Sequence, residues 1–560
     1  MFHDLLMQLL EETTQHSLRL FSPELALTAG IVLLLLARLC DFDRAVPPHW
    51  IALWSAMAAF ALSWFYVSDF AQVGDQRLEY FSGLMVFDSF TAWVRLGLML
   101  FLVFVITLTV LSGIPDQEDG PDFYSLLLGA VVGMSIMVGA NNLLMVFLGI
   151  EMASVPSYAL VGFLKGRRQA SEAALKFVVY GAGAAGVMLY GISLLAGLTG
   201  TTKLPELAAR LQVLFADGPT TLDNPAVRTL ALAALMIMAG FAFKLSVVPF
   251  HFWAPDAFQG AAAEVGGFLS VASKAAAFAL LVRLVLSVVT PDAPLREVYQ
   301  TLGLGLGILA AITVTFGNLA AYSQRNMKRL LAYSTIAHAG YMLMAVAAVT
   351  VLQTTTEVDT VSSTLADRSA RAIEGLLYYL AVYLFMNLGA FAITALIRNE
   401  IFSEEIDDYA GLGYQCPVLA VGMALCLFSL VGLPPLGGFV GKLFVFAALF
   451  DAGAIHGLMW LILVIAGVNT VFSLFYYVRV LKVMYLQARP AGARPVRMAT
   501  WSTPGSYVLV VTIPLVVLGL FPNLFSHVAN SAADALIRTV QSPVGRVGAA
   551  AVLPGDKQEG

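Results

Sequence analysis

Charged residues are scarce in this chain: they make up 12% of 560 residues, against ~25% in a typical soluble domain. That scarcity, with 59% apolar residues and a mean hydropathy of +0.82, excludes an ordinary soluble globular protein. The net charge of -5 is spread over connecting segments and forms no basic stripe, so nothing points to a nucleic-acid partner. Cysteine occurs three times, as Cys40, Cys416 and Cys426, with no CxxC pair. Isolated cysteines in or beside apolar runs read as small buried hydrophobes rather than as a metal site or a disulfide framework. Neither an iron-sulfur motif nor a flavin- or nucleotide-binding glycine loop is present. The GLGLG stretch near Leu302 lies within an apolar run and lacks the strand-turn-helix setting of such a loop. Glu11, Glu12 and Glu24 interrupt the start, so no cleavable signal peptide is expected.

Long apolar runs are what the chain has in abundance. A crossing needs about 20 residues as a helix, because only a helix satisfies its own backbone within hydrocarbon. Such runs fall at 24–40, 50–68, 84–110, 122–141, 143–164, 172–197, 228–250, 260–289, 298–320, 328–352, 371–397, 415–450, 456–486 and 503–526, fourteen in all. The expectation is an all-α polytopic membrane protein. The basic clusters Lys165/Arg167/Arg168, Arg325/Lys328/Arg329 and Arg489/Arg494/Arg497 all fall on one side if the count is fourteen. The positive-inside rule makes that side cytoplasmic and puts both termini on the extracytoplasmic side. The connections 198–227 and 353–370 read as surface loops, and the tail after Pro543 as mobile.

Only nine lysines are present, and Lys176, Lys244, Lys274 and Lys442 fall within apolar spans. A charge at the centre of a membrane helix costs ~2.5–3.5 kcal/mol or more, so these four are expected to face the protein interior, paired or hydrated. Glu151, in FLGIEMASVPSYAL, is their acidic counterpart, five residues before Pro156. Tyr180 and Glu172 lie four residues on either side of Lys176, on its helix face. In FAFKLSVVPFHFWAPD, Lys244 is followed by Pro249 and His251. Proline within a span frees carbonyls and opens the helix, and broken membrane helices usually mark an ion path. His251, seven residues from Lys244, is expected two turns along the same face. A second break is expected at LFSLVGLPPLGGFVGKLFVF, where Pro434, Pro435 and Gly437 precede Lys442.

The two breaks lie five crossings apart. Because five is odd, equivalent helices cross in opposite directions, as in two inverted five-helix repeats containing broken helices. The chain then divides into 1–121 (three helices), 122–290 (first repeat), 298–486 (second repeat) and 487–560 (final helix and tail). His338, in YSTIAHAGYM, falls between the two breaks. Lysines beside a movable carboxylate can hold or release a proton according to hydration and neighbouring charge, whereas alkali cations need oxygen ligands. Protons are therefore the expected cargo, with no cofactor required in this chain.

Five stretches, NNLLMVFLGIEMASVPSYALVGF, SEAALKFVVYGAGAAGVMLYG, FKLSVVPFHFWAPDAFQG, NMKRLLAYSTIAHAGYML and GLPPLGGFVGKLFVF, closely resemble the antiporter-like proton-translocating subunits of respiratory complex I. Within that family the chain is most similar to the subunit-N branch of NADH-quinone oxidoreductase, and the likeness covers nearly its whole length. The resemblance implies that Glu151 is the carboxylate of the fifth helix, partnered with Lys244 of the broken seventh. It makes Lys176 a modulating residue, His251 and Lys274 the connection toward the centre, and Lys442 the exit-side site. NADH, FMN, iron-sulfur clusters and quinone are expected on other subunits. Expected partners are the neighbouring antiporter-like paralogue, the small membrane subunits near the quinone site, lipids and, indirectly, the peripheral arm, in a bacterial inner (plasma) membrane. The paralogues often carry extra C-terminal helices, for which this chain leaves no room as a long lateral helix. One stretch departs from the family, which commonly has prolines where Ala262 and Glu264 stand in GAAAEVGG. Glu264 is expected to be a solvated loop-edge carboxylate, or else an added partner for the axis.

Two other readings share some of these features. A Mrp-like cation/proton antiporter subunit, or a membrane subunit of a hydrogenase or ferredoxin-dependent complex, would carry the same lysine axis. A purely structural scaffold has no reason to keep four lysines and two breaks within its spans.

Overall fold

The computed structural model describes residues 11–42, 46–73, 77–116, 118–216, 220–289, 294–355, 365–490, 496 and 502–541. Three helices open the chain: α1 (Ser22–Leu39), α2 (Pro48–Val73) and α3 (Ser89–Ser112). A short antiparallel hairpin, β1 (Leu78–Tyr80) with β2 (Met85–Phe87), fills the gap before α3, pairing Glu79 with Val86. The third crossing accordingly starts later than its apolar run. Met85–Phe87 is strand, and Asp88 caps the helix by accepting from the Thr91 N–H at 2.8 Å.

The next group is α4 (Gly120–Gly139), α5 (Leu143–Val161), α6 (Arg168–Thr199), the short α7 (Leu204–Leu214), α8 (Pro225–Leu245), α9 (Trp253–Gly260) and α10 (Ala263–Val288). Asn142 separates α4 from α5 by capping the Leu144 N–H at 2.9 Å. A second group follows: α11 (Arg296–Ala321), α12 (Met327–Leu352), α13 (Leu365–Ile401), α14 (Pro417–Val431), α15 (Gly437–Gly453) and α16 (Leu458–Leu486). The last helices are α17 (Thr503–Leu520) and α18 (Asn523–Gln541).

Among the described residues, thirteen helices are long and apolar enough to cross a membrane. The remaining crossing is divided between α14 and α15, of 15 and 17 residues, each short of the ~20 that a span needs. The fourteen expected crossings are thus present, the twelfth as two halves. Three expectations are corrected. The 198–227 connection contains α7 rather than loop alone. The fourteenth crossing stops at Leu520, and the polar-faced α18 follows as a separate helix docked on α13, where Asn530 donates to Glu374 at 3.0 Å. Cys40 is exposed, although Cys416 and Cys426 are buried. The tail after Pro543 lies outside the described residues.

The same local structure occurs twice. Leu143 N–H bonds Thr202 O and Leu204 N–H bonds Asn141 O, tying the start of α5 to the chain after α6. Met327 N–H bonds Glu404 O and Ile406 N–H bonds Arg325 O, tying the start of α12 to the chain after α13. Gly133 lets α4 approach the backbone of Ala153, where a Cβ would lie 2.4 Å from its nitrogen. Gly317, 184 positions on, does the same for α11 against Ala337, at 2.7 Å. Both groups also break their fourth crossing: α8 ends with Ser246 at φ +59° and α14 with Gly432 at φ +86°, 186 positions apart.

The helices differ in how deeply they lie. The apolar window of α12 is buried throughout, whereas only 28% of the corresponding windows of α1 and α16 is buried. The centre is formed by α10, α12 and α13, and the outer helices present Leu, Val and Phe outward. Two buried ion pairs lock the N-terminal helices on. Arg283 of α10 binds Asp88 in a fork at 2.8 and 2.9 Å. Arg95 of α3 lies 3.4 Å from Glu24 of α1, which also takes a hydrogen bond from Ser135 of α4. The Arg95 guanidinium stacks over Phe87, 4.6 Å from the ring centre.

Candidate functional site

The site is built at the two breaks and between them. Where α8 stops, the chain turns through Val247–Phe252 into α9, and the freed carbonyls find new donors. Val247 N–H goes to Ala242 O, and Trp253 Nε1 donates to Phe243 O at 3.0 Å. Lys274 comes from the middle of α10 to donate to Leu245 O at 2.7 Å. Its ammonium therefore sits at the C-terminal, negative end of a half-helix. Lys274 also reaches Thr335 O of α12 at 3.3 Å, so one buried side chain joins the two groups of helices.

Lys244, in the last turn of α8, is 4% exposed and donates to Ser154 Oγ of α5 at 2.9 Å. Ser154 in turn donates a hydrogen bond to Ile150 O at 2.6 Å. Glu151 is one turn back on the same helix, close enough for its charge to act on Lys244. Its carboxylate lines an open groove between α5 and α6, together with Val155, Tyr158 and Leu175. Lys244 thus has a hydroxyl in hand and a carboxylate within reach of its field.

Beyond Lys274 the polar line continues on α12. His338, one turn from Thr335, is buried with Nδ1 2.7 Å from Tyr379 Oη and Nε2 3.3 Å from Tyr477 Oη. Tyr477 Oη in turn lies 2.5 Å from Ser334 Oγ. Lys442, 3% exposed in α15, donates to Leu430 O at 3.1 Å and Val431 O at 2.8 Å, the last carbonyls of α14. Its Nζ lies 4.4 Å from the centre of the Tyr341 ring, and the His338 ring is 6.1 Å from that same ring.

Five of the expected residues, Glu151, Lys244, Lys274, His338 and Lys442, therefore lie along one polar line. Two do not. Lys176 is not interior: its side chain is 42% exposed and ion-paired to Glu172 at 2.9 Å and Asp256 at 2.8 Å. The 32-residue α6 is ~48 Å long against a ~30 Å hydrocarbon core, so part of the helix extends past that core. Asp256 also holds Arg329 of α12 at 2.7 Å. His251 does not continue the face of Lys244, because α8 ends at Leu245 and the intervening turn removes the helical register. Its ring packs on Phe252 and Phe316, with centroids 4.3 and 4.4 Å away, and its Nδ1 makes no hydrogen bond.

The sequence reading passed over Ser154 and the tyrosines. A signal was there: Tyr379, Tyr383 and Asn387 recur every four residues in LLYYLAVYLFMNLG, a polar stripe on one face of an apolar helix. Glu264 is not solvated at a loop edge. It is fully buried in the first turn of α10, 3.5 Å from Arg398.

A family profile described as "NADH:quinone oxidoreductase/Mrp antiporter, TM" matches residues 140–473, which take in all of this line. NADH-quinone oxidoreductase subunit N of Anaeromyxobacter sp. is 40% identical over 494 residues, covering 85% of this chain and 89% of that protein. The subunit N of Heliobacterium modesticaldum is 37% identical, covering 86% and 92%. Among solved structures, a chain of respiratory complex I from Thermus thermophilus with bound aureothin is 29% identical at a TM-score of 0.68, covering 90% of this chain and 98% of that one. A chain of the Mrp complex from Dietzia sp. shares the fold at 18% identity, with a TM-score of 0.73 and coverage of 94% and 98%. The chain belongs to the NADH:quinone oxidoreductase/Mrp antiporter family of membrane subunits, on the branch formed by subunit N of the proton-translocating NADH-quinone oxidoreductases.

Proposed function

We propose that this subunit moves protons along the line Glu151–Lys244–Lys274–His338–Lys442, using quinone reduction elsewhere in the complex as its driving signal. The observation that carries the reading is Lys274. One buried ammonium binds both the end of the broken α8 and α12, so a change at the first break is felt in the second half. When Glu151 is ionised and undisturbed, its field favours the charged form of Lys244. Drawing that carboxylate away, or neutralising it, loosens the proton on Lys244. Lys274 first gives its own proton on toward His338 and is left as the neutral amine. It then takes the Lys244 proton through water, and the charge that has moved on repels the proton held at Lys442 toward the exit. Each step transfers one proton between nitrogen and oxygen or nitrogen bases, and no electron moves within this chain.

Lys176 tunes the rim through Asp256, and His251 packs the break. The redox groups (NADH, FMN, iron-sulfur clusters and quinone) sit on other subunits. The neighbours are an antiporter-like paralogue and small membrane subunits near the quinone site, in a bacterial plasma membrane with both termini extracytoplasmic. Residues 1–121, 122–290, 298–486 and 487–560 act as anchor, first half-channel, second half-channel and closing segment. The test is Lys244→Ala in the assembled complex, with NADH-to-quinone turnover and proton uptake measured together in native membrane vesicles. Loss of coupled turnover is expected. Normal turnover with a normal proton-to-electron ratio would sink the role of Lys244, and NADH oxidation independent of this protein would favour an antiporter.

A further inference from the structure

The line just described meets a groove at Glu151 but otherwise runs inside the protein, and its buried members need a supply of protons. One cluster outside it has the chemistry for that task. Glu264 is completely buried, and neither of its carboxylate oxygens accepts a hydrogen bond. Two cations act on it, and one of them holds a further acid. Arg398, from the last turn of α13, lies 3.5 Å away and spends a donor on Asn399 at 2.9 Å. Lys328, in the first turn of α12, donates to Ala261 O at 2.6 Å and pairs with Glu404 at 2.9 Å. Leaving a buried carboxylate with no donor is costly while it stays ionised and water is excluded. The group is relieved either by a proton of its own or by water brought to it.

Water has a route. A cavity of about 620 Å³ is lined by Arg398, Asn399, Glu404, Asn326 and Arg167, and it opens beside the exposed Arg167 and Phe402. Arg398 and Glu404 thus each have one side toward this cavity and the other toward the buried cluster. The inward path is also marked. Ser270, six residues along α10 and so about 9 Å farther, is held by Asn387 Nδ2 at 2.5 Å. Asn387 bonds Tyr383 Oη at 3.1 Å, and the Tyr383 ring lies 5.4 Å from that of His338. The one apolar step, between Glu264 and Ser270, is closed by Phe391 packed on Gly266 and Gly267.

We propose that Glu264 is a proton-loading group, taking protons from the Arg398-lined cavity and feeding the centre of the line through water held along Ser270, Asn387 and Tyr383, whose side chains position that water and do not themselves carry the proton. The proposal rests on the proton-carrying reading above. In the transfer, a hydronium from the cavity gives its proton to a carboxylate oxygen of Glu264 and leaves as water. The carboxylic acid then passes that proton to water wetting the Phe391 step and returns to carboxylate, with Arg398 as its resting counter-ion.

The experiment is Glu264→Gln in the assembled complex, measured beside Lys244→Ala. Coupled turnover is expected to fall by ~100-fold or more, the range lost with a proton-transferring group, while Glu264→Asp retains most of it. A second variant separates loading from charge balance. In Glu264→Gln/Arg398→Met both charges are gone, so a purely structural ion pair would be repaired, whereas a lost loading group would stay lost. Turnover that stays low in the double variant supports the proposal, and recovery to the unmutated level overturns it. Wild-type turnover in Glu264→Gln, with turnover lost in Lys244→Ala, overturns Glu264 and leaves the line intact. Wild-type turnover in both overturns both.

Discussion

The two broken helices share a frame and use it differently. At the first break the lysine precedes the turn: Lys244 lies just before Ser246, holds a side-chain hydroxyl, and leaves the carbonyl of Leu245 to Lys274 from another helix. At the second break the lysine follows the turn: Lys442 reaches back to Leu430 O and Val431 O, the carbonyls that its own break set free. The first ammonium answers to a movable side chain with a carboxylate behind it, and the second is held by fixed backbone dipoles. In the proposed function a signal enters at the first break by moving Glu151, while the second break responds to charge arriving from within. On that reading the repeat supplies two similar sites, and the position of one lysine relative to its turn makes one a receiver and the other a relay.

That contrast can be broken in order of effect. Lys442→Met strips two buried carbonyls of their donor. It is expected to lower the stability of the subunit by about 1–3 kcal/mol per orphaned group and to abolish coupled turnover, as read by thermal inactivation of the assembled complex. Lys244→Met leaves behind only Ser154, which already donates to Ile150 O. It should remove turnover with little change in thermal stability, and equal destabilisation by the two substitutions would erase the distinction. Next come the turns themselves. Gly432→Ala forces a side chain into the left-handed region at φ +86° and sets its Cβ 3.0 Å from the Lys442 chain, at a cost of about 1–2 kcal/mol. Ser246→Gly should be neutral or slightly stabilising, since Ser246 already sits at φ +59°. The smallest effect is expected of His251→Phe. A ring that only packs between Phe252 and Phe316 should leave turnover within about twofold, whereas a relay would lose ~100-fold or more.

The fold was legible because its signals are local. Apolar runs of span length, Pro434–Pro435 beside Gly437 and Gly438, and lysines inside hydrocarbon-length segments can be read without knowing what lies across the bundle. The partners were not legible, and the reason is physical. Lys274 and Lys442 bind backbone carbonyls, and every residue carries one, so no residue type advertises the contact. Arg283 finds Asp88 and Arg95 finds Glu24 across long stretches of chain, where only packing brings them together. Lys176 was misplaced because its apolar run continues past the membrane rim, and hydropathy alone does not mark where a long helix leaves the bilayer. Of the two readings of Glu264, the solvated one fails and the buried partner stands, because its burial under α13 is a tertiary fact that no local sequence signal carries.

The central claim is that both breaks belong to one line joined at Lys274. Lys274→Met keeps volume and removes only the ammonium that binds Leu245 O and Thr335 O. The measurement is turnover together with the proton-to-electron ratio of that variant, assembled in native membrane vesicles. The account requires turnover to fall ~100-fold or more, with proton uptake falling alongside it. Unchanged turnover at an unchanged ratio would mean that the two halves work without this bridge, and would contradict the account.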